Sequence, residues 1–347
     1  MTRCMLLSLA IVFAAFCTAA QAGGADGRLD IYFIDVEGGA ATLFVTPAGE
    51  SLLIDSGYPD NNGRDRDRIL KVVRDVAKLE RIDHAAVSHW HLDHYGNHAS
   101  LAALINIENF WNRDIPDALQ EDKKFEERIA DYRSASQNAS KTLTAGKVFE
   151  IDSPRTPLSL KVVTASRKVI PNTGEPNPFA KEHVARAVDK SDNAASVSVL
   201  LQFGKFKFLC CGDLTWNIEG KLVTPNNPVG QVDLFMVTHH GLPNSNNPAL
   251  VLAIDPVVAV MCNGPTKGGH AETIKTLRRV KSLKSLYQLH QNIKLKPEEQ
   301  TPAEFILNQG KTADCQGGYV KASVAPDGNS YTLQLSGSEK VRTYQTR

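Results

Sequence analysis

Cysteine is scarce in this chain, with six in 347 residues, and no two are spaced as Cys-x-x-Cys. That removes the paired-thiolate motif of a structural zinc site. Net charge is also lacking, since 39 Lys and Arg face 38 Asp and Glu. Neutrality gives no long-range pull toward nucleic acid or an anionic membrane, and leaves only a local basic patch as a basis for binding either. Internal repeats and low-complexity tracts are missing, which excludes a solenoid or array. No apolar stretch is long enough to span a bilayer. The most apolar one, Met5 to Phe16, falls short of the ~20 residues a spanning helix needs.

That short stretch reads instead as the core of a secretory signal peptide over 1–22, with Arg3 ahead of it and Ala20-Gln21-Ala22 as the cleavage site. A membrane anchor is the alternative, and the length speaks against it. Cleavage leaves 38 basic against 38 acidic residues and four cysteines, Cys210, Cys211, Cys262 and Cys315. The expected location is periplasmic or secreted, where an even number of cysteines can pair. Cys210 and Cys211 sit side by side in a predicted strand and point to opposite faces, so they do not bond each other. Buried free thiols are the other reading.

What is present is the composition of a soluble globular protein, 42% apolar and 22% charged. "RLDIYFIDVEGGAATLFVTPAGESLLIDSG" alternates β-formers with Gly and Pro breaks and predicts three short strands. Ile69, Val72, Val73, Val76 and Leu79 then recur at helical spacing. "IDHAAVSH" predicts a buried strand that runs into a histidine-rich loop, and "GNHASLAAL" a further helix. Near 112–192 regularity fades into an insertion, where "DALQEDKKFEERIADYRSASQ" predicts a charged, solvated helix. "ASVSVLLQFGKFKFLCCGDL" predicts two strands around a Phe-Gly-Lys turn. Strands in "QVDLFMVTHHG" and "PVVAVMCNGP" and a helix in "AETIKTLRRVKSL" follow. The pattern divides the mature chain into a main unit over 23–290 and an extension over 291–347. The extension carries a hairpin around Pro326-Asp327-Gly328, either an appended strand pair or a small interaction module.

Three predicted strands end in polar clusters: "SHWHLDHYGN", Asp213, and His239-His240. In the first, His89, His91, Asp93 and His94 fall within six positions. Extended backbone over 89–91 points His89 and His91 to one side, where they can share a cation. Asp93 and His94 follow as the chain turns and can serve a second cation. Asp213 can bridge the two, and His240 can close the second. Imidazole nitrogen and carboxylate oxygen are the ligand set of a hydrolytic Zn2+ site of one or two ions, with Mn2+ or Fe as alternatives. Water on such an ion has a depressed pKa and is available as hydroxide. Asp93 can orient it by accepting its proton, and His239 or His270 can protonate a leaving group. A single histidine is more often a plain surface or core residue. Four ligand-type residues at this spacing, backed by two more strand ends, argue for metal.

"HWHLDH" resembles the His-x-His-x-Asp-His signature of the metallo-β-lactamase superfamily, and "LLIDSG", "CGD" and "THHG" resemble its later landmarks in order. "IDVEGGAATLFVTPAGESLLIDSG", "NAASVSVLLQFGKFKFLCCGD" and "GGHAETIKTL" are similar to the branch related to the hydrolase domain of DNA-uptake competence proteins. That branch usually has Asp-Val-Gly-Gln-Gly-Asp-Ala where this chain has Asp35-Val36-Glu37-Gly38-Gly39-Ala40-Ala41. The resemblance covers about residues 27 to 290. It implies an α/β fold, a four-layer αββα sandwich with a dinuclear site at one edge of the paired sheets. It assigns His89 and His91 to the first metal, Asp93, His94 and His240 to the second, and Asp213 to the bridge. Asp55 is implied as a buttress of the metal loop. One departure stands out. The superfamily generally supplies a third histidine to the first metal just before the strand leading to the bridging aspartate, and here that neighbourhood reads "SDNAASVS", with Asn193. His183, ten residues earlier, is the nearest histidine, so the first metal is expected to be weakly held or the enzyme to be mononuclear.

These residues together predict an exported metal-dependent hydrolase using a metal-bound hydroxide, and the resemblance to the competence-protein branch implies a phosphodiester or related phosphoester as its first substrate. A lactone, ester or β-lactam is the runner-up substrate. A rival class is a non-catalytic binding or metal-storage protein that keeps the fold, and a redox use with iron comes third. Substrate identity, metal identity and oligomeric state are not encoded in any motif.

Overall fold

The strand Leu29–Ile34 is buried along its whole length, as expected where both faces of a sheet are covered. Its period-two alternation divides it between two cores, with Leu29, Ile31 and Phe33 in one and Tyr32 and Ile34 in the other. The computed structural model describes residues 26–347 apart from 60, 150, 154 and 312–314. The signal-peptide reading of 1–22 lies outside the described residues.

Two nine-stranded sheets carry the chain. Across the first, the order is Val341–Gln345, Ser330–Leu335, Tyr319–Val324, Leu29–Ile34, Thr42–Val45, Ser51–Ile54, Arg81–Ala86, Asn106–Asn112 and Lys141–Thr142. Across the second it is Ile306–Asn308, Ser285–His290, Val258–Met261, Leu234–Met236, Phe206–Cys210, Ser198–Phe203, Leu158–Ala165 and Val148–Phe149, with Lys168–Val169 beside Leu158–Ala165. The sheets face each other across a core that includes Phe33, Phe44, Phe203, Phe206 and Phe208. Outside the first sheet pack the helix from Arg64 and the helix Phe125–Ala135. Outside the second pack Trp216–Val223, Pro248–Ile254 and Ala271–Arg278. Helix, sheet, sheet, helix is the four-layer αββα arrangement.

Several elements differ from expectation. The helix from Arg64 widens after Leu70 into a π-type turn, with the Ala77 N–H donating to Val72 O at 2.8 Å. The charged helix of the insertion is not solvated all round. Phe125, Ile129 and Tyr132, spaced four and three, form a buried stripe, and Trp90 packs against it with ring centroids 5.0 Å from Tyr132 and 6.3 Å from Phe125. Trp90 is therefore a packing residue, with its indole N–H donating to Asp114 O at 2.7 Å. Asn106–Asn112 and Leu158–Ala165 are sheet strands that the sequence pattern did not announce.

The segment 291–347 contributes strands to both sheets. Tyr319–Val324 pairs antiparallel with Leu29–Ile34, and Ile306–Asn308 extends the second sheet beside Ser285–His290. Val320, Val324, Tyr331 and Leu333 enter the core between the sheets. Of the two readings of the tail, appended strands describe it. Cys210 lies in the core between the sheets and Cys211 in the outer one, and all four described cysteines are free thiols. No helix among the described residues is long and apolar enough to cross a membrane.

Candidate metal centre

In each sheet, two parallel strands lie side by side and end at the same edge. Ser51–Ile54 beside Arg81–Ala86 delivers Asp55 and the loop 88–94. Phe206–Cys210 beside Leu234–Met236 delivers Asp213 and His239-His240. The two edges face one another, so three distant segments meet. Asp55, His239 and His240 hold left-handed backbone at φ 63°, 53° and 54°, a cost that clusters at functional sites. Glycines let the loops close in. A Cβ at Gly39 would lie 2.5 Å from Asp93 O, and one at Gly268 would lie 2.1 Å from His240 O.

Outer partners fix how four histidines face the centre. His94 Nδ1 lies 2.8 Å from Asp55 Oδ2, and His240 Nδ1 lies 3.0 Å from Cys262 O. Both partners are acceptors, so both Nδ1 atoms carry the hydrogen. The Ser88 hydroxyl donates to Asp55 Oδ2 at 2.7 Å and so accepts from His89 Nδ1 at 3.1 Å. The Ser245 hydroxyl donates to Leu214 O at 2.7 Å and accepts from His239 Nδ1 at 3.1 Å. Every Nε2 therefore turns inward. Asp213 Oδ2 lies 3.2 Å from that of His94, 3.3 Å from those of His239 and His240, and 3.9 Å from that of His89. Histidines oriented from behind in this way are the usual support of a metal site.

The charges agree. Burial works against the Asp213 carboxylate, yet His239, His240 and His94 outweigh it and hold it well below the ordinary range. Asp93 is likewise held well down by His94 and Lys267 against burial. Burial would also lower His94 and His240, but Asp213 pushes both up. His239 is pushed down to about 4 by burial, and burial together with His94 holds His89 well below its usual value. The centre thus demands positive charge, which protons on His94 and His240 or a bound cation can supply.

A divalent cation fits these residues. Asp93, His94, Asp213 and His240 offer donor atoms all within 4.8 Å of one another. His89 Nε2 is buried with no protein partner, an arrangement that costs about 1–3 kcal/mol unless something takes the lone pair. The donor set, nitrogen and carboxylate oxygen, suits Zn2+, Mn2+ or Fe2+. A second group, Asp35, His290 and Cys315, already holds a cation of its own. Arg68 donates to Asp35 Oδ2 at 2.9 Å and lies 3.5 Å from Cys315 Sγ.

Of the residues singled out from sequence, His89, Asp93, His94, Asp213 and His240 are brought together. His91 stands beside them, its ring centroid 4.7 Å from that of His89, with Nε2 held by Glu121 Oε1 at 3.0 Å. His270 is exposed at the start of the helix Ala271–Arg278, and none of the centre's hydrogen bonds reaches it. His183 is engaged elsewhere, its Nδ1 2.7 Å from Asn247 Nδ2. Asp55 binds the loop from behind, accepting the Ser88 N–H at 2.8 Å as well as His94. Lys267 was missed, and His239, singled out only as a proton donor to a leaving group, joins the histidines around Asp213. His239 turns inward beside His240 because two successive left-handed residues break the alternation a strand would impose. Lys267, in the glycine-rich "GPTKGGH" after strand Val258–Met261, ion-pairs with Asp93 Oδ2 and lies 3.4 Å from Tyr58 Oη.

The sequence model of the Metallo-beta-lactamase superfamily matches residues 34–287. No curated protein matches the chain. Similar solved structures include the metallo-beta-lactamase fold protein YhfI from Bacillus subtilis, at 12% identity and a TM-score of 0.45, covering 75% of this chain and 96% of that one. CmlA, a diiron beta-hydroxylase from Streptomyces venezuelae, is 16% identical with a TM-score of 0.43. It covers 74% of this chain and 52% of its own, so the chain spans about half its length. A subclass B3 metallo-beta-lactamase from a soil metagenome library is 16% identical with a TM-score of 0.36, covering 70% and 77%. At these identities the likeness is one of fold. On the match over 34–287, the chain belongs to the metallo-β-lactamase superfamily.

Proposed function

We propose that this protein is an exported metal-dependent hydrolase whose substrate is a phosphodiester or a related phosphoester. Bound divalent cations would supply Lewis acidity and lower the pKa of water at the centre. The chain's own groups do the rest. Asp93 Oδ2, ringed by His94 at 3.3 Å, His240 at 3.4 Å and Lys267, is the acceptor for the proton of the attacking water. Lys267 Nζ, its side chain one third exposed, offers a fixed cation at the edge of the centre to an anionic substrate oxygen. The Tyr58 phenol beside it is pushed up by burial and by Asp93, so it stays protonated and can donate to the same group.

The observation that supports the choice of substrate is Lys267, since a phosphodiester already carries anionic oxygens that pair with an ammonium on binding, whereas a lactone, ester or β-lactam carbonyl develops such charge only as it reacts. The motif likeness to the competence-protein branch supports the same reading. Net neutrality turns it toward a small phosphodiester rather than tight, nonspecific binding of long DNA. The test is an assay of a generic phosphodiester beside a lactone and ester panel, each with added Zn2+ or Mn2+. Phosphodiester turnover is expected. Ester cleavage without phosphodiester cleavage under either metal would reverse the assignment.

A further inference from the structure

Glu121 belongs to the insertion and to no motif, yet its carboxylate touches the metal loop. Its Oε1 stands 3.0 Å from His91 Nε2 and also accepts the Asp192 N–H at 2.5 Å. Asp192 Oδ2 in turn accepts the N–H of Trp90, the residue before His91, at 2.6 Å. Metal loop, insertion and the turn Asp192–Ala195 are thus closed into one hydrogen-bonded ring.

Glu121 is itself held in place. Leu119 and Phe125, on either side of it in sequence, are buried, and Phe125 packs on Trp90. The Phe125 N–H donates to Asp122 O at 3.1 Å. His91 is partly exposed, and without this tie its imidazole would have several staggered rotamers open to it.

The same ring fixes where His91 keeps its hydrogen. An oxygen that takes the Asp192 N–H is an acceptor, so the nitrogen facing it, Nε2, is the donor. The lone pair is left on Nδ1. The ring centroid stays 4.7 Å from that of His89, with the two rings at 74°. Any cation that His91 shares with His89 is therefore met through Nδ1.

We infer that Glu121 is a positioning residue of the metal centre, holding His91 in one orientation and one tautomer so that it ligates through Nδ1. The insertion is then part of the centre. A carboxylate behind a ligating histidine also raises the basicity of the ring, and losing such a partner costs about 10–100-fold in metal affinity. The inference rests on the reading of the site as a metal centre and uses no substrate, so failure of the phosphodiester assignment leaves it standing.

The experiment is a double-mutant cycle on Zn2+ and Mn2+ affinity, measured by titrating chelator-stripped protein against a fluorescent competing chelator. Wild type, Glu121→Ala, His91→Ala and the double variant are compared, with Glu121→Gln as the replacement that keeps an acceptor oxygen. Thermal unfolding of the stripped proteins verifies that each is folded. Glu121→Ala should loosen binding about tenfold or more, and Glu121→Gln should recover part of that loss. Once His91 is Ala, removing Glu121 as well should change affinity by less than about twofold, because Glu121 acts only through His91. The inference is overturned if Glu121→Ala leaves affinity unchanged or tightens it, or if its effect persists undiminished without His91. A wild type that takes up neither ion would overturn it together with the metal-centre reading.

Discussion

Asp55 stands directly behind His94, its Oδ2 2.8 Å from the imidazole Nδ1, while the opposite ring nitrogen faces Asp213 at 3.2 Å. A carboxylate in this position holds the ring and raises the basicity of the nitrogen facing the centre. Asp55→Ala should therefore weaken metal binding by roughly 10–100-fold although Asp55 touches no ion. Competition titration with a chelating dye measures this, and unchanged affinity would remove Asp55 from the supporting role.

Lys267 separates recognition of an anion from general damage to the centre. Replacing it by Gln removes a charge-assisted hydrogen bond of about 1.5–3 kcal/mol. KM for a phosphodiester should rise about tenfold or more, while any residual turnover of a neutral ester keeps its KM. Parallel loss on both substrates would make Lys267 a mere neutraliser of Asp93.

Glu219 gives a dependence of stability on pH that is independent of metal. It is wholly buried on the helix Trp216–Val223, accepts the Asn247 N–H at 2.8 Å through Oε2, and has no partner at Oε1. Burial pushes its pKa up to about 7. The folded state thus binds the proton more tightly than the unfolded one, and stability falls as pH rises from the unfolded carboxyl value through about 7. Glu219→Gln escapes this loss. Its advantage over the wild type in urea unfolding of metal-free protein should grow by on the order of 3 kcal/mol between pH 4.5 and pH 8. A difference that stays constant across that range would contradict the assignment.

The C-terminal strands are part of the core. Tyr331 is buried, donates its hydroxyl hydrogen to Asp233 O at 2.9 Å, and bridges the two sheets. Ending the chain before Tyr319 would uncover the edge of Leu29–Ile34 and strip Val320, Val324, Tyr331 and Leu333 from the core between the sheets. Loss of soluble, cooperatively folding protein is expected. A truncated chain that melts as the full one does would show the tail to be dispensable.

How much of this was legible in the sequence varied with the physics of each part. Strands covered on both faces, such as Leu29–Ile34, betray themselves as apolar runs, and the motif loop 88–94 is local, so its ligands could be listed by spacing. Asp213 and His240 were found because each ends a strand. What could not be read is set by backbone turns and by distant partners. His239 faces inward only because φ is positive at two consecutive residues. His91 Nε2 is drawn to Glu121, which lies in an insertion without strong pattern. The burial of Phe125, Ile129 and Tyr132 was masked by the charges around them. Lys267 carries no motif at all and reaches Asp93 across 174 positions of chain.

Metal content bears on the whole scheme most directly. Elemental analysis of the purified protein, beside Asp213→Ala and His240→Ala variants that melt like the stripped wild type, counts the cations each chain retains. At least one zinc, manganese or iron per wild-type chain is expected, with most of it gone from both variants. A wild-type chain that holds no such ion after exposure to all three, or variants that keep the full complement, would mean that the histidines and carboxylates gathered around Asp213 are not a metal centre.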